Sequence, residues 1–332
     1  MNGADYFEQI PAGAISPQMP ECKAIIVNIG NQKHILESLA QLYSCASYKI
    51  YVVNTTTAKL WKVLERISEV GVPAIVNCGQ DIIDIDNILP KYPYSASLIS
   101  ADSYNNAKDS VLDTLLNNKF LINFSNIGFQ GYRYSPNVLQ NLRERYFEDM
   151  RLGTIRDNIS LCEPLLRDSE YTFLDLKSIR YSDYPYSAQA NPNGLYAEEA
   201  CQIARYIGLG QKLSVVFIFG EIKGESKITV CNKLIAEIIW HICDGISINL
   251  IENPLDKITA DSYMRKIVSL GDNGQEIIFV TSLYSDRWWM EISVNNGSNI
   301  KLIPCSINDY KTACSGEVPL RWLLFYTKYA LL

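Results

Sequence analysis

A chain of 332 residues with 48% apolar side chains can bury a large core, which fits one large α/β domain with a smaller appendage. Its formal net charge of −6 argues against a nucleic-acid partner, because neutralising phosphates requires a basic face. The amino terminus has neither a basic segment nor an apolar segment of the secretory type, and no apolar run reaches transmembrane length. We therefore expect a cytoplasmic protein without membrane insertion.

The numbers and positions of cysteine and histidine argue against disulfide bonds and against metal sites built from these residues. The nine cysteines are odd in number and contain no C-x-x-C pair, which argues against a disulfide framework or a thiolate metal site. Free thiols fit a reducing compartment. The two histidines, His34 and His241, both fall within helical runs and are more typical of structural positions than of ligands.

Strands alternate with helices through the first part of the chain. Lys23–Gly30 is a β-branched apolar run followed by a helical pattern over Gln32–Cys45, and Tyr51–Asn54 begins a second such unit. Asn54 or Thr55 is expected to cap the second helix, and Asn141–Arg156 is expected to form one solvated helix. Further short buried strands are predicted at Ala74–Val76, Ala96–Ser100 and Phe120–Phe124. This alternation indicates a mainly parallel sheet that is covered on both faces.

A charged loop follows the next strand, Thr172–Leu176. Its charged side chains are Asp175, Lys177, Arg180 and Asp183. In open α/β sheets ligands bind outside the carboxyl ends of the strands, so this loop is a candidate site. A loop that only covers the sheet edge would look the same, and both interpretations stay open. Beyond it the pattern predicts a helix at Gly194–Gly208, a strand at Val215–Phe219 and a helix at Lys227–Gly245.

Three stretches resemble the ureohydrolase superfamily of arginases, agmatinases and formimidoylglutamases. They are TFLDLKSIRYSDYP, which begins at Thr172, NGLYAEE, which begins at Asn193, and EIKG at Glu221. The segment NFSNIGFQGYRYSP from Asn123 is similar to the formimidoylglutamase branch, and the likeness covers most of residues 20–245. The resemblance implies a three-layer α/β/α fold with a mainly parallel sheet of about eight strands. We expect this domain to occupy residues 1–245 and an α+β extension to occupy residues 246–332.

The resemblance also implies six ligand positions for a pair of manganese ions. Aspartate remains at two of them, and the other four carry residues that bind hard cations poorly. The retained pair is Asp102 and Asp175, and the replacements are Gln80, Tyr104, Asn106 and Lys177. Four more residues complete the expected vestigial site: Asp81 beside Gln80, Arg180 at a later aspartate position, and Glu199 and Glu221, which match late glutamates. Such a set predicts that no manganese pair is bound.

Two functions are therefore compatible with the sequence. The one we favour is a ureohydrolase-fold protein that has lost the metal centre and serves as a non-catalytic binding or scaffold protein. The alternative is a manganese-dependent hydrolase of a guanidino or formimino C–N bond with an altered site. Lys177 discriminates between them, since a hydrolase would need an acidic ligand there. We expect its ammonium to lie near Asp102 or Asp175, where it would replace the lost cations.

The extension is predicted to contain a small antiparallel sheet. Strands are expected at Glu276–Leu283 and Arg287–Val294, with a turn leading into Ile300–Ile303, and Ser306 with Asp309 is expected to start a helix. Three tryptophans lie in it, Trp288, Trp289 and Trp322, which either pack the extension or contact a partner. We expect a protein partner or self-association through the Arg287–Glu291 hairpin, and a small-molecule ligand is also compatible with the sequence.

Overall fold

The computed structural model describes residues 7–19, 21–30, 32–45, 48–79, 85–103, 110–185, 191–220, 229–270, 275–294 and 299–330. These residues fall into two compact units. The first covers the described residues of 1–140 and 147–249, and the second covers those of 141–146 and 250–332.

A nine-stranded sheet forms the centre of the first unit. Its strands are β1 (Phe7–Gln9), β2 (Cys22–Ile29), β3 (Lys49–Thr55), β4 (Ala74–Asn77), β5 (Tyr94–Ile99), β6 (Leu121–Phe129), β7 (Glu148–Arg151), β8 (Tyr171–Asp175) and β9 (Val215–Phe219). Their order is β1-β3-β2-β4-β9-β8-β5-β6-β7, and each neighbouring pair is parallel. The eight strands β2 to β9 lie within residues 20–245, so the parallel sheet predicted there is confirmed.

Helices cover both faces of this sheet. They are α1 (Lys33–Leu39), α2 (Leu60–Val70), α3 (Val111–Asn117), α4 (Pro136–Glu144), α5 (Leu152–Asp157), α6 (Cys162–Arg167), α7 (Ala197–Gly208) and α8 (Thr229–Ile248). Helices α1, α6, α7 and α8 bury their apolar faces in one core with alternate residues of the central strands. The other strand residues are buried too: in β2 the whole run Ala24–Val27 is inaccessible to solvent. Continuous apolar runs are what a parallel sheet covered on both sides requires.

Two local predictions in this region are wrong. The run Asn141–Arg156 is not one helix, because the chain leaves α4 through Tyr146 at a φ of +52° and then forms the edge strand β7 and the short α5. An edge strand tolerates the interleaved charges that also suit a solvated helix. Asn54 caps no helix either, since it lies within β3 and its Oδ1 accepts a hydrogen bond from Asn28. A 3₁₀ turn separates Thr55 from α2.

The second unit contains a four-stranded antiparallel sheet and two helices. Its elements are β10 (Tyr263–Leu270), β11 (Gln275–Ser282), β12 (Trp288–Val294), β13 (Asn299–Cys305), α9 (Ile307–Cys314) and α10 (Leu320–Ala330), with the strands in the order β10-β11-β12-β13. The predicted sheet is confirmed, although β10 was not expected. Of the turn predicted at 295–299, residues 295–298 lie outside the described residues and Asn299 begins β13. Ser306 and Asp309 form the expected capping box of α9. Within the described part of the chain, no helix is long and apolar enough to span a bilayer.

Candidate functional site

The carboxyl ends of four neighbouring strands carry the positions to which the sequence resemblance points. Strands β4, β9, β8 and β5 lie side by side in that order, and because they are parallel they all end at one edge. Asp175 is the last residue of β8, and Asp102 follows β5. The hydroxyl oxygen of Ser100 lies 3.1 Å from the main-chain oxygen of Asp102 and 3.4 Å from Asp175 Oδ2. The fold thus brings both aspartates to the same edge.

Asp175 is fully buried and closely surrounded by main chain. Its Oδ1 accepts a hydrogen bond of 2.9 Å from the main-chain N–H of Lys177, so the carboxylate caps the 3₁₀ turn Leu176–Ser178. Gly220 follows β9 at a φ of +93°, and a Cβ at that position would lie 2.4 Å from Asp175 Oδ1. Only glycine fits both the backbone angle and the close approach. Asp175 therefore has a local structural role in addition to its place at the edge.

Asp102 pairs with an arginine that follows the neighbouring strand β6. Its Oδ2 lies 3.7 Å from a terminal nitrogen of Arg133, and both side chains are largely withdrawn from solvent. The Ser103 N–H donates to the main-chain oxygen of Arg133, which ties the two loops together. Sequence reasoning did not single out Arg133. The available signal was its place in the NIGFQGYRY segment, which continues directly from β6.

A buried tyrosine, Tyr134, is influenced electrostatically by both carboxylates. The Tyr134 hydroxyl donates a hydrogen bond of 3.0 Å to Asn126 Oδ1 on β6. Burial raises the pKa of Tyr134; the hydrogen bond with Asn126 lowers it, and the negative charges of Asp102 and Asp175 raise it again. The net result is a phenol that stays protonated at neutral pH. Tyr134 and Asn126 were also missed from the sequence, since the effect of the aspartates on Tyr134 arises only from strand order.

Lys177, at the second aspartate position of the family block, is half-buried. Its main-chain N–H binds Asp175, and its Cγ lies 3.3 Å from where a Cβ on Gly220 would be. The side chain therefore begins beside the fully buried carboxylate. Pairing of its ammonium with Asp102 or Asp175 stays a prediction.

Arg180 and Glu199 lie in a separate cluster at the start of α7. The guanidinium carbon of Arg180 lies 4.0 Å from the centroid of the Tyr196 ring, and that of Arg156 lies 4.4 Å from it. Glu199 accepts a hydrogen bond of 2.8 Å from the Tyr196 N–H, and its other oxygen lies 3.7 Å from Arg156 Nε. Arg180 in turn binds Asp183 at 2.7 Å. These contacts fix the start of α7, so Glu199 acts there as a helix-capping carboxylate.

The remaining residues of the expected vestigial site cannot be placed. Gln80, Asp81, Tyr104, Asn106 and Glu221 lie outside the described residues. Within the described part of the chain, no group of three or more His, Cys, Asp or Glu side chains comes together in a way that could hold a metal ion.

The three tryptophans of the extension are buried, with exposures of 9% for Trp288, 3% for Trp289 and 6% for Trp322. Trp288 stacks on Tyr310, and Trp322 stacks on Tyr326. Trp289 projects to the opposite sheet face from Trp288, as the alternation predicts, and meets Tyr263 edge to face. Trp288 and Trp289 are therefore both internal, although they lie on opposite faces of the sheet. Their aromatic rings do not form an exposed contact surface in this structure.

Comparison with known proteins identifies the fold. No family model and no curated protein matches the chain. Among solved structures it is similar to formimidoylglutamase from Bacillus subtilis subsp. subtilis str. 168, with a TM-score of 0.60 and 14% identity over 75% of this chain and 92% of that one. For Trypanosoma cruzi formiminoglutamase (oxidized) at pH 4.6 the TM-score is 0.59, with 15% identity over 72% and 98% of the two chains. For arginase from Medicago truncatula the TM-score is 0.52, with 12% identity over 68% of this chain and 87% of that one. The predicted arginase-like α/β fold is thereby confirmed.

Proposed function

We propose that this protein uses the arginase-like fold as a non-catalytic binding or scaffold protein and that it holds no pair of manganese ions. Trypanosoma cruzi formiminoglutamase, which shares the fold, has been solved with Mn²⁺, with a TM-score of 0.54 and 14% identity over 72% of this chain and 99% of that one. The proposal rests on the chemistry of the residues that stand here at the corresponding edge of the sheet.

The observation that carries the proposal is the engagement of the two retained carboxylates by groups other than a metal. Asp175 accepts the Lys177 N–H at 2.9 Å, and Asp102 lies 3.7 Å from the Arg133 guanidinium. Each contact occupies or neutralises an oxygen that a divalent ion would need. Manganese prefers several anionic or imidazole ligands, and lysine, a cation, stands at the second aspartate position of the family block, Lys177. The residues present therefore do not fit a pair of divalent cations, and we derive no hydrolytic step through them.

Metal content and hydrolysis test this proposal directly. After incubation with manganese and exhaustive dialysis, we expect far less than one manganese per chain by elemental mass spectrometry. We also expect no urea or formamide release from arginine, agmatine or formiminoglutamate. The matched control is Asp175→Ala, which should leave both readouts at the same background.

Stoichiometric manganese that survives dialysis, or product release that Asp175→Ala abolishes, would favour the alternative of an altered hydrolase. We also propose a cytoplasmic location, which cysteine usage supports: the nine cysteines are odd in number and contain no C-x-x-C pair. Fractionation of cells followed by immunodetection of the protein checks the location.

A further inference from the structure

A cavity of about 520 Å³ lies at the edge of the large sheet opposite to the aspartates. Its floor includes Ala74, Tyr171 and Val215, which are the first residues of β4, β8 and β9. One wall is a face of α2, and the other is the segment that contains Ile88 and Tyr92. Because the two aspartates lie at the carboxyl ends of the strands, this cavity is separate from the candidate site described above.

A second cavity of about 400 Å³ continues along the same groove. It shares three lining residues with the first, Trp61, Asn87 and Ile88, and it reaches Thr57 just before α2. The two cavities thus follow the length of α2. Ligand sites of small molecules span roughly 300–1,000 Å³ and are lined by apolar and aromatic groups with a few polar ones. The size and shape here suit an elongated small molecule.

Aromatic side chains dominate the mouth of the groove. Trp61 is 47% exposed and Tyr92 is 60% exposed, so solvent reaches both rings beside the cavity. Burial raises the pKa of Tyr171, and the neighbouring Tyr92 raises it further, so the Tyr171 hydroxyl stays neutral. The Trp61 ring already attracts a cation, since the Lys62 ammonium lies 5.2 Å from its centroid. Lys62 does not line either cavity.

The side chains that line the groove have a negative formal charge, and the Lys62 ammonium lies outside the lining. Among the described residues that line the two cavities, Glu65 carries the only formal charge. The carboxyl-terminal end of α2 also faces the first cavity through Gly71, and the partial negative charge of a helix at that end favours cations. Aromatic faces, a carboxylate and a helix carboxyl terminus all attract positive charge.

We propose that the groove along α2 binds a small organic cation with an apolar or aromatic body. The body lies against Ile88 and the Trp61 and Tyr92 rings, and the cationic group lies toward Glu65. This inference does not depend on the proposed loss of manganese, because it concerns the other edge of the sheet.

Three probes of the same shape and different charge test it: phenethylammonium, phenethyl alcohol and phenylacetate, each titrated into the full-length protein by calorimetry. Phenethylammonium should bind about threefold to tenfold more tightly than the alcohol, and phenylacetate should bind most weakly. Glu65→Gln should reduce the preference for the cation without weakening the binding of the alcohol. Trp61→Leu should weaken the binding of the cation and of the alcohol alike. If a bound probe quenches tryptophan fluorescence in the natural protein, loss of that quenching in Trp61→Leu identifies the site.

Glu69→Gln is the matched control, because Glu69 is exposed on the same helix and does not line the groove. It should leave all three affinities unchanged, and thermal unfolding should confirm that each variant is folded. The proposal is overturned if the three probes bind equally, if none binds, or if Glu69→Gln acts as strongly as Glu65→Gln.

Discussion

At the scale of single residues, the most informative position is Lys177. A carboxylate as deeply buried as Asp175 is costly to desolvate unless a hydrogen bond or an opposite charge compensates it. The main-chain N–H of Lys177 supplies one such hydrogen bond. If its ammonium supplies the charge, removing that charge should destabilise the fold even though the substitution keeps the length of the side chain.

We predict that Lys177→Met lowers the free energy of unfolding by about 1–3 kcal/mol, as expected for a buried charged group that loses its partner. Urea titration monitored by circular dichroism measures the free energy of unfolding. Lys212→Met is the control, because Lys212 pairs with Asp168 on the surface, and such a pair contributes only about 0–1 kcal/mol. Equal stability of Lys177→Met and the natural protein would show that the ammonium does not compensate the carboxylates.

Asp183 provides a test that depends on pH. Burial by itself raises the pKa of Asp183, but hydrogen bonds from Arg180, the Ala197 N–H and Ser182 outweigh it and hold the pKa below its ordinary value of 3.8. A carboxyl group whose pKa is lower in the folded state stabilises the fold above the unfolded pKa. That contribution is lost as the pH falls through the folded pKa.

We therefore expect Asp183→Asn to lower the free energy of unfolding at neutral pH by about 1–2 kcal/mol. The difference from the natural protein should shrink as the pH falls below about 4. Chemical denaturation at neutral and acid pH measures both values. Asp157→Asn, at an exposed position on α5, should show neither effect. A difference for Asp183→Asn that persists unchanged in acid would contradict this assignment.

At the scale of elements, α7 and α8 cross at two glycines. The sequence predicted that Gly208 ends α7, which it does, but its backbone is not left-handed. Position 208 therefore does not require the conformational freedom of glycine. A Cβ on Gly208 would lie 2.1 Å from the main-chain oxygen of Ile242, and a Cβ on Gly245 would lie 2.3 Å from that of Arg205. Absence of a side chain lets the two helix backbones touch.

Gly208→Ala should consequently destabilise the protein by about 1–3 kcal/mol, because backbone atoms cannot yield as a flexible side chain can. Thermal and urea unfolding measure the loss. Gly153→Ala on α5 is the matched control: it is also helical, but a Cβ there meets nothing within 4 Å. Alanine at that position should be neutral or stabilise by roughly 0.5–1 kcal/mol. Similar results for both variants would mean that the crossing can relax.

At the scale of the whole molecule, the second unit remains the place where we expect association, but through different residues. Trp288, Trp289 and Trp322 are buried, so replacing them should damage the unit itself. Large apolar side chains that solvent does reach include Ile251, Ile258 and Leu320, which are 87%, 93% and 78% exposed. Exposed apolar groups of this size are available to a partner or a second copy.

We predict that Trp288→Ser lowers the stability of the second unit by about 3–5 kcal/mol, the usual cost of emptying a large aromatic site. Ile258→Ser with Leu320→Ser should change stability by less than about 0.5 kcal/mol but weaken assembly. Near-ultraviolet circular dichroism and sedimentation velocity separate the two effects. An assembly state and partner recovery that stay the same in the double variant would show that the second unit does not mediate association.

The sequence by itself determined seven of the nine strands of the large sheet, β2 to β6, β8 and β9, and their order along the chain; it did not predict the edge strands β1 and β7. Runs such as Ala24–Val27 are apolar without interruption, which only a strand buried on both faces tolerates, and helical patterns between them require parallel connections. The capping box of Ser306 and Asp309 was equally predictable, because both of its partners lie within one helical turn. The replacement at Lys177 was also evident before the structure, because the resemblance to the ureohydrolase block implies an aspartate at that position.

Only the tertiary structure decided which distant side chains meet. Arg133 faces Asp102 because β5 and β6 are neighbours in the sheet, and Tyr196 contacts both Arg156 and Arg180 because the start of α7 packs against α5 and the loop after β8. The groove at Glu65 likewise joins α2 to strand beginnings that are far apart in the sequence. Local patterns encode periodicity and turns, but contacts across a sheet depend on strand order and register, which no local pattern contains.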